Sequence, residues 1–400
     1  MEGLTCQNPS YPFLCYTDTE NYGLCVKDQH ECNQKISRNN DMLPNDCMTE
    51  EQIKLGQQYA YEKSNLHTDC QNLTIVVDNK YYNATPVPKN FKVCSWNVWG
   101  LTKKITQEFA NWSIPKRLNI ICDNILENDI DIVCLQEVSN LVFETIQSRL
   151  GHKYDFYDDN IDIEKTLPRF KRSLENIFIV RKTIKPSLFQ NYLLQGNLDF
   201  NNNINILEFP NLVIINGYFQ AGSKFSPGQE NVAIHYSRCR YEQLKALSVF
   251  IEKYDDRPII IVGDFNLNLD GNRVDWPETK YLDYLKSIGF IDSYRSLFPD
   301  MIENPGFTED TQVNFMRYNN KFIEKQFRFD GILVKCIEPI DCAILGMLPI
   351  SGLTEEETAE VIENYVYKKT EQLSRARMTG DSVALWPSDH FGIMTELQFE

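Results

Sequence analysis

The sequence predicts a layered α/β domain preceded by a small cysteine-rich segment. Short apolar runs that end abruptly in polar residues point to buried strands, and the stretches between them carry apolar residues at helical spacing. Six of the twelve cysteines fall in the first 70 residues. With 42% apolar and 24% charged residues, the 400-residue chain holds ample material for a large core, which excludes disordered and fibrous classes.

The head, residues 1–70, contains Cys6, Cys15, Cys25, Cys32, Cys47 and Cys70 among few aliphatics and many polar residues. That is the composition of a disulfide-stapled module, and the lack of a C-x-x-C pair disfavours zinc. Sequence does not choose the pairing. No basic stretch followed by an apolar run stands near Met1, so no cleaved signal peptide is expected, while the cysteines leave an oxidising compartment open. Residues 71–90, with Pro86 and Pro88 two apart, read as a stiff linker. No apolar run approaches the roughly 20 residues that cross a bilayer.

Residues 91–400 form the α/β domain. Segments 91–98 (FKVCSWNV), 131–138 (DIVCLQEV), 212–219 (LVIINGYF) and 259–266 (IIIVGDFN) are expected as buried strands whose ends present chemistry. Between the first two, Leu118, Ile121, Cys122, Ile125 and Leu126 share a helical face over 115–128, with Ser113 as cap and Pro115 in the first turn. Segments 241–251 and 281–288 repeat the pattern, the second stopped by Gly289. Segments 327–334 and 390–399 are later strands. Residues 190–206 are Asn-rich and read as a surface excursion. Residues 354–377 read as a solvated helix opened by a Thr354/Glu357 capping box. Cys94, Cys122, Cys134, Cys239, Cys336 and Cys342 read as buried thiols.

Forty basic against 56 acidic residues give a net charge of −16. This weighs against a protein that holds DNA by neutralising many phosphates, although a bound divalent cation supplies local positive charge. The chemistry sits at the strand ends: Asn97 in Ser-Trp-Asn, Glu137 in Leu-Gln-Glu, Asp264 and Asn266 in Gly-Asp-Phe-Asn, Asp330 in Arg-Phe-Asp, Asp389 and His390 in Ser-Asp-His. Buried carboxylates are costly unless paired or metal-bound. Several oxygen groups at one sheet edge suit Mg²⁺, with Mn²⁺ as a substitute, and a histidine beside them suits acid–base work near neutral pH.

The ordered set SWN, LQE, GDFN, RFD and SDH resembles the endonuclease/exonuclease/phosphatase superfamily over residues 91–400. Within it the chain is most similar to tyrosyl-DNA phosphodiesterases of the second type, with exonuclease III-like and neutral sphingomyelinase-like features. The resemblance implies a four-layered α/β sandwich of two packed mixed sheets with the site at one rim. It implies that Glu137 and Asn97 hold the metal and that Asp389 assists metal or water. Asp264 would orient or deprotonate the attacking water, and Asn266 would meet a phosphate oxygen. His390, steered by Asp330, would stabilise the developing charge. Tyr218 stands where many members carry histidine, a place where AP endonucleases have tyrosine, and is a candidate phosphate contact. Glu309 stands where the tyrosyl-DNA branch has tryptophan. The implied activity is Mg²⁺-dependent hydrolysis of a phosphodiester, with nucleic acid or a protein–DNA 5′-phosphodiester ranked first. A phospholipid headgroup ranks second, and a non-enzymatic binding or structural protein that kept the fold ranks third. No partner protein is expected.

Overall fold

The structure is a computed structural model that describes residues 13–15, 24–26, 47–49, 74–100, 105–158, 175–194, 203–222, 230–271, 277–314, 316, 325–366 and 384–399. In chain order, the strands of the head are β1 (Phe13–Cys15), β2 (Leu24–Val26) and β3 (Cys47–Thr49), which form a small antiparallel sheet in the order β2-β1-β3. The six cysteines of the head fall outside the described side chains, and so does their pairing. There follow β4 (Thr74–Tyr81), β5 (Asn90–Asn97), α1 (Gln107–Glu127), β6 (Ile132–Val138), α2 (Asn140–Leu150), β7 (Tyr154–Tyr157), β8 (Glu175–Arg181), β9 (Leu188–Leu194), β10 (Asn203–Phe209) and β11 (Leu212–Tyr218). The remainder comprises α3 (Glu230–Ala246), α4 (Ser248–Lys253), β12 (Ile259–Asp264), α5 (Pro277–Ser287), β13 (Ile291–Asp292), α6 (Ser293–Leu297), β14 (Glu309–Asp310), β15 (Gln326–Phe327), β16 (Asp330–Lys335), β17 (Glu338–Leu345), α7 (Glu355–Val361) and β18 (Gly392–Gln398).

Two large mixed sheets carry the domain. One has seven strands in the order β13-β16-β12-β11-β10-β9-β4, the other six in the order β17-β18-β5-β6-β8-β7. Side-chain alternation builds the layers. Ile260 and Val262 point into a core between the sheets with Phe91, Val93, Ile132 and Phe178. Ile259 and Ile261 face the other way, onto Leu244, Leu247 and Leu285 of the helical region spanning α3 to α5. Val133 and Leu135 face Ile114, Leu118 and Ile121 of α1. The result is helix, sheet, sheet, helix. No helix among the described residues is long and apolar enough to cross a membrane.

Several expectations shift. The first helix begins at Gln107, capped by the Thr106 side chain on the Phe109 N–H, so Ser113 is an interior residue and Pro115 lies inside the helix. The burial of Phe109, Ile114, Leu118 and Ile121 outweighs the roughly 3 kcal/mol that an interior proline costs. Residues 74–81, within the expected linker, instead form the edge strand β4 on β9, because Thr74-Ile75-Val76-Val77 is a β-branched run. Of the Asn-rich 190–206 stretch, 190–194 belong to β9 and 203–206 to β10 rather than to a surface excursion, residues 195–202 lie outside the described residues, and Asn191, Asn203 and Asn205 are buried. Asn205 Nδ2 donates to the Asn176 carbonyl and Asn176 Nδ2 to the Asn203 carbonyl, so these amides join the two sheets. The Thr354/Glu357 capping box is present and opens α7; residues 367–383 lie outside the described residues. Cys336 is exposed at a positive φ, unlike the five buried thiols. Burial pushes the Cys239 thiol up to about 11.

One row positions the site. Gly217, Gly263 and Gly331 lie side by side across β11, β12 and β16, and next to them Tyr218, Asp264 and Asp330 form a second row. Gly263 has φ 144°, and a Cβ there would stand 1.9 Å from the Gly217 carbonyl oxygen. Gly263→Ala is therefore expected to lower the unfolding free energy by about 2 kcal/mol or more, through backbone strain plus overpacking. Urea denaturation checks this; a loss below about 0.5 kcal/mol, the surface-substitution range, contradicts the close-approach account.

Candidate active site

The parallel pairs β5–β6 and β11–β12 end at the same rim, where β16 begins and the chain enters β18. Strand register alone thus delivers Asn97, Glu137, Tyr218, Asp264, Asp330 and the Asp389-His390 pair to one place. Glu137 has φ 57° and sits where the β6–β8 register shifts, a bulge that re-aims its side chain. Trp99 (φ 47°) and Asn266 (φ 50°) are also left-handed. Three of the five described non-glycine residues with positive φ therefore cluster here, as stored strain does at functional sites.

Hydrogen bonds connect the expected residues. Asn97 Nδ2 donates to Glu137 Oε1 at 3.1 Å and to Asp264 Oδ2 at 3.0 Å, while Asn97 Oδ1 accepts from the Trp99 N–H at 3.0 Å. Asn97, expected as a ligand, thus shows its nitrogen to both carboxylates. Tyr218 Oη donates to Glu137 Oε1 at 2.8 Å. Asn266 donates its main-chain N–H to Asp264 Oδ1 and its side-chain amide to Asp264 Oδ2 and the Phe219 carbonyl. His390 Nδ1 pairs with Asp330 Oδ2 at 2.7 Å. The Ser388 hydroxyl donates to the Asn97 carbonyl at 2.6 Å and contacts Asp389 Oδ1 at 3.3 Å. All eight residues singled out from sequence join one connected cluster.

The electrostatics follow from burial. Asp264, Asp330, Asp389, Glu137 and His390 are each at most 2% exposed. Burial raises the Asp264 carboxyl to about 7; Asp330 adds to the rise, while His390 and the Asn97 amide oppose it. Burial alone would disfavour the imidazolium of His390, but the charges of Asp330, Asp389 and Asp264 outweigh it and hold that group well above its usual value. His390 Nε2 and Asp330 Oδ1 are buried with no hydrogen-bond partner among the described residues. Asp264, Asp330 and His390 offer ligand atoms that all lie within 4.8 Å of one another. This oxygen-rich, net-negative set with two orphaned polar atoms fits a hard divalent cation and a phosphate.

Nearby cations are paired locally. Arg328 pairs with Asp292 at 2.6 Å and Asp270 at 3.0 Å. Arg240 is buried against Glu278 at 2.9 Å, so its pairing is internal. Glu309, which stands where the resembled tyrosyl-DNA branch has tryptophan, is buried and pairs with Lys325 at 3.1 Å. Sequence reasoning missed Thr308, whose Oγ1 accepts from the Phe329 and Asp330 N–H groups and whose carbonyl accepts from Phe391. It also missed Gln136, whose amide crosses between the sheets to Asn216 Oδ1 at 2.8 Å. Arg117 left a signal, a charged residue on the apolar face of α1.

The two-sheet frame with buried acids and an imidazole at one rim defines a class of phosphoester-cleaving folds. The chain belongs to the endonuclease/exonuclease/phosphatase family, whose model matches residues 94–390. It is 22% identical over 284 residues to the uncharacterized protein F14F9.5 of Caenorhabditis elegans, covering 66% of this chain and 84% of that one. Among solved structures it resembles D. rerio TDP2 complexed with single-strand DNA product, with TM-score 0.52, 18% identity, and 78% of this chain and 100% of that one covered. C. elegans TDP2 gives TM-score 0.51 and 18% identity over 77% and 74% of the two chains. At these identities the likenesses establish the fold.

A cation held beside Asp264 would favour its ionised form, so cation affinity would rise with pH through about 7. Without metal the trend is the opposite. Both Asp264 and His390 have raised folded pKa values, so their contribution to stability is largest at low pH and is lost as pH rises, for Asp264 between the usual carboxyl range and about 7. The rise in thermal midpoint on adding Mn²⁺ should therefore be larger at pH 8 than at pH 6. A shift that is equal at the two values, or larger at pH 6, rules this out.

Proposed function

We propose that the protein is a divalent-cation-dependent phosphodiesterase that directs a water in line at a phosphate ester, with nucleic acid or a protein–DNA 5′-phosphodiester as its first-ranked substrate. The observation that carries this reading is the Asp264–Asp330–His390 cluster, tied through Asn97 to Glu137. Ionised Asp264, held by Asn266 and Asn97, takes the proton of the attacking water as its oxygen bonds to phosphorus; the in-line ester P–O bond breaks and the leaving oxygen takes a proton from solvent. Protonated His390 gives Nδ1–H to Asp330 and offers Nε2–H to a phosphate oxygen, where charge develops. Glu137, steered by the Tyr218 hydroxyl and assisted by Asp389, would hold Mg²⁺ or Mn²⁺. When bound, that cation supplies charge neutralisation on the phosphate oxygens and acidifies a water. Tyr218 acts through Glu137 as a neutral donor, so His390 carries the fixed positive charge facing the phosphate. Residues 91–400 are the catalytic domain in this reading, with 1–70 as an accessory segment.

A second reading, a phospholipid headgroup, is favoured by one observation. Met347 and Leu348 are 53% and 77% exposed and follow Gly346, which lies against the Trp96 ring, whose indole N–H donates to the His390 carbonyl. Exposed aliphatics beside a site suit insertion into a lipid interface.

With Mn²⁺ and bis-p-nitrophenyl phosphate, Asp264→Ala and His390→Ala should each lower kcat/KM by about 10²- to 10⁴-fold. Turnover that persists in EDTA, or in the alanine variants, sinks the mechanism. A panel of abasic DNA, 5′-tyrosyl DNA, sphingomyelin vesicles and inositol phosphates then ranks the substrates. Tyr218→Phe should weaken Mn²⁺ binding by about tenfold, the effect of losing a group that orients a metal ligand. Unchanged Mn²⁺ affinity with a raised KM would instead make Tyr218 a direct phosphate contact.

A further inference from the structure

Arg117 is 2% exposed on α1, on the face that packs against the six-stranded sheet. Its guanidinium reaches two separate loops. Nη2 donates to the Val98 carbonyl at 2.6 Å and, with Nη1, to the Trp99 carbonyl at 3.3 and 3.4 Å. Nε donates to the Pro387 carbonyl at 3.0 Å. The guanidinium also lies 5.4 Å from the centroid of the Trp99 ring. Val98 and Trp99 directly follow Asn97, and Pro387 directly precedes Ser388-Asp389-His390. One planar fork therefore fastens the loop that follows Asn97 and the loop that carries His390 to the same helix.

A buried guanidinium is expensive, and a methylene chain would fill the same space without that cost. What the guanidinium adds is geometry: donors in a fixed plane that lysine cannot reproduce. It also opposes the strain of Trp99, whose left-handed backbone directs its N–H at Asn97 Oδ1 while its carbonyl is held by Arg117.

We propose that Arg117 is a positioning residue that sets the spacing between the Asn97–Glu137 side and the His390–Asp330 side of the cluster. This rests on the phosphodiesterase reading. Arg117 touches no substrate; it keeps the groups that hold the cation and the imidazole that meets the phosphate at one separation.

The test uses the full chain with Arg117→Lys and Arg117→Ala, folding being checked by near-ultraviolet circular dichroism. On bis-p-nitrophenyl phosphate with Mn²⁺, kcat should fall by about 100-fold while KM stays within about threefold, the signature of misplaced groups rather than lost substrate contacts. Mn²⁺ affinity, read by electron paramagnetic resonance, should weaken in both variants. Methylguanidinium should restore part of the kcat of Arg117→Ala and none of that of Arg117→Lys, whose ammonium occupies the space; a merely structural role gives no such rescue. If Arg117→Ala does not fold, Arg117→Lys decides alone. Folded variants that keep kcat within about twofold of the parent with unchanged Mn²⁺ affinity overturn the proposal. If the parent protein hydrolyses no phosphodiester, the functional reading fails by itself, and Mn²⁺ affinity alone still decides whether Arg117 sets the cluster.

Discussion

Asp264 and Asp330 face each other across neighbouring antiparallel strands, both withdrawn from water, and the surrounding structure is arranged to make that tolerable. Two carboxylates this close in a medium of low polarity do not both ionise without compensation. His390 supplies part of it through Nδ1 on Asp330, and the amides of Asn97 and Asn266 supply more on Asp264. What remains is an Asp264 carboxyl raised to about 7 and a cluster of ligand atoms suited to a divalent cation. The same imbalance that costs stability creates the reactive groups.

The frame explains how the arrangement stays in place. A row of glycines brings β11, β12 and β16 close enough for Tyr218, Asp264 and Asp330 to line up. Buried amides then pin one sheet to the other, Gln136 to Asn216 and Asn176 to Asn203 and Asn205, so the sheets cannot slide without leaving polar groups unpaired. Thr308 ties the start of β16 to the approach to β18, fixing Asp330 relative to His390.

Two departures from the family pattern change the local chemistry. A phenol at position 218 donates a hydrogen bond without carrying charge, and it spends that bond on Glu137. The Glu309–Lys325 pair replaces a flat aromatic with a buried ion pair, which removes a stacking surface and adds fixed polarity beside Phe329. In the phosphodiesterase reading both would bear on which ester enters the site, and both leave the acid–imidazole cluster intact.

The fold class, the four principal strands, the apolar faces of α1 and α5 and the eight residues that gather at the rim were legible in the sequence, whereas the helix expected over 241–251 is divided at Leu247 between α3 and α4. Apolar runs ending in Asn, Glu, Asp or His are local signals, and local periodicity is what a chain displays before it folds. Helix starts were less legible: Thr106 rather than Ser113 caps α1, because burial of Phe109 and Ile114 carries the helix through Pro115. The β-branched run at 74–77 is a local signal for β4, whereas the strand character of the Asn-rich β9–β10 region was hidden, since amide bridges between sheets leave no periodic trace. The sequence by itself determined which groups are available and that they lie at strand ends. Only the tertiary structure decided that Asp264 faces Asp330, that Tyr218 turns to Glu137 and that Arg117 spans two loops, because those contacts join residues far apart in the chain and depend on strand register.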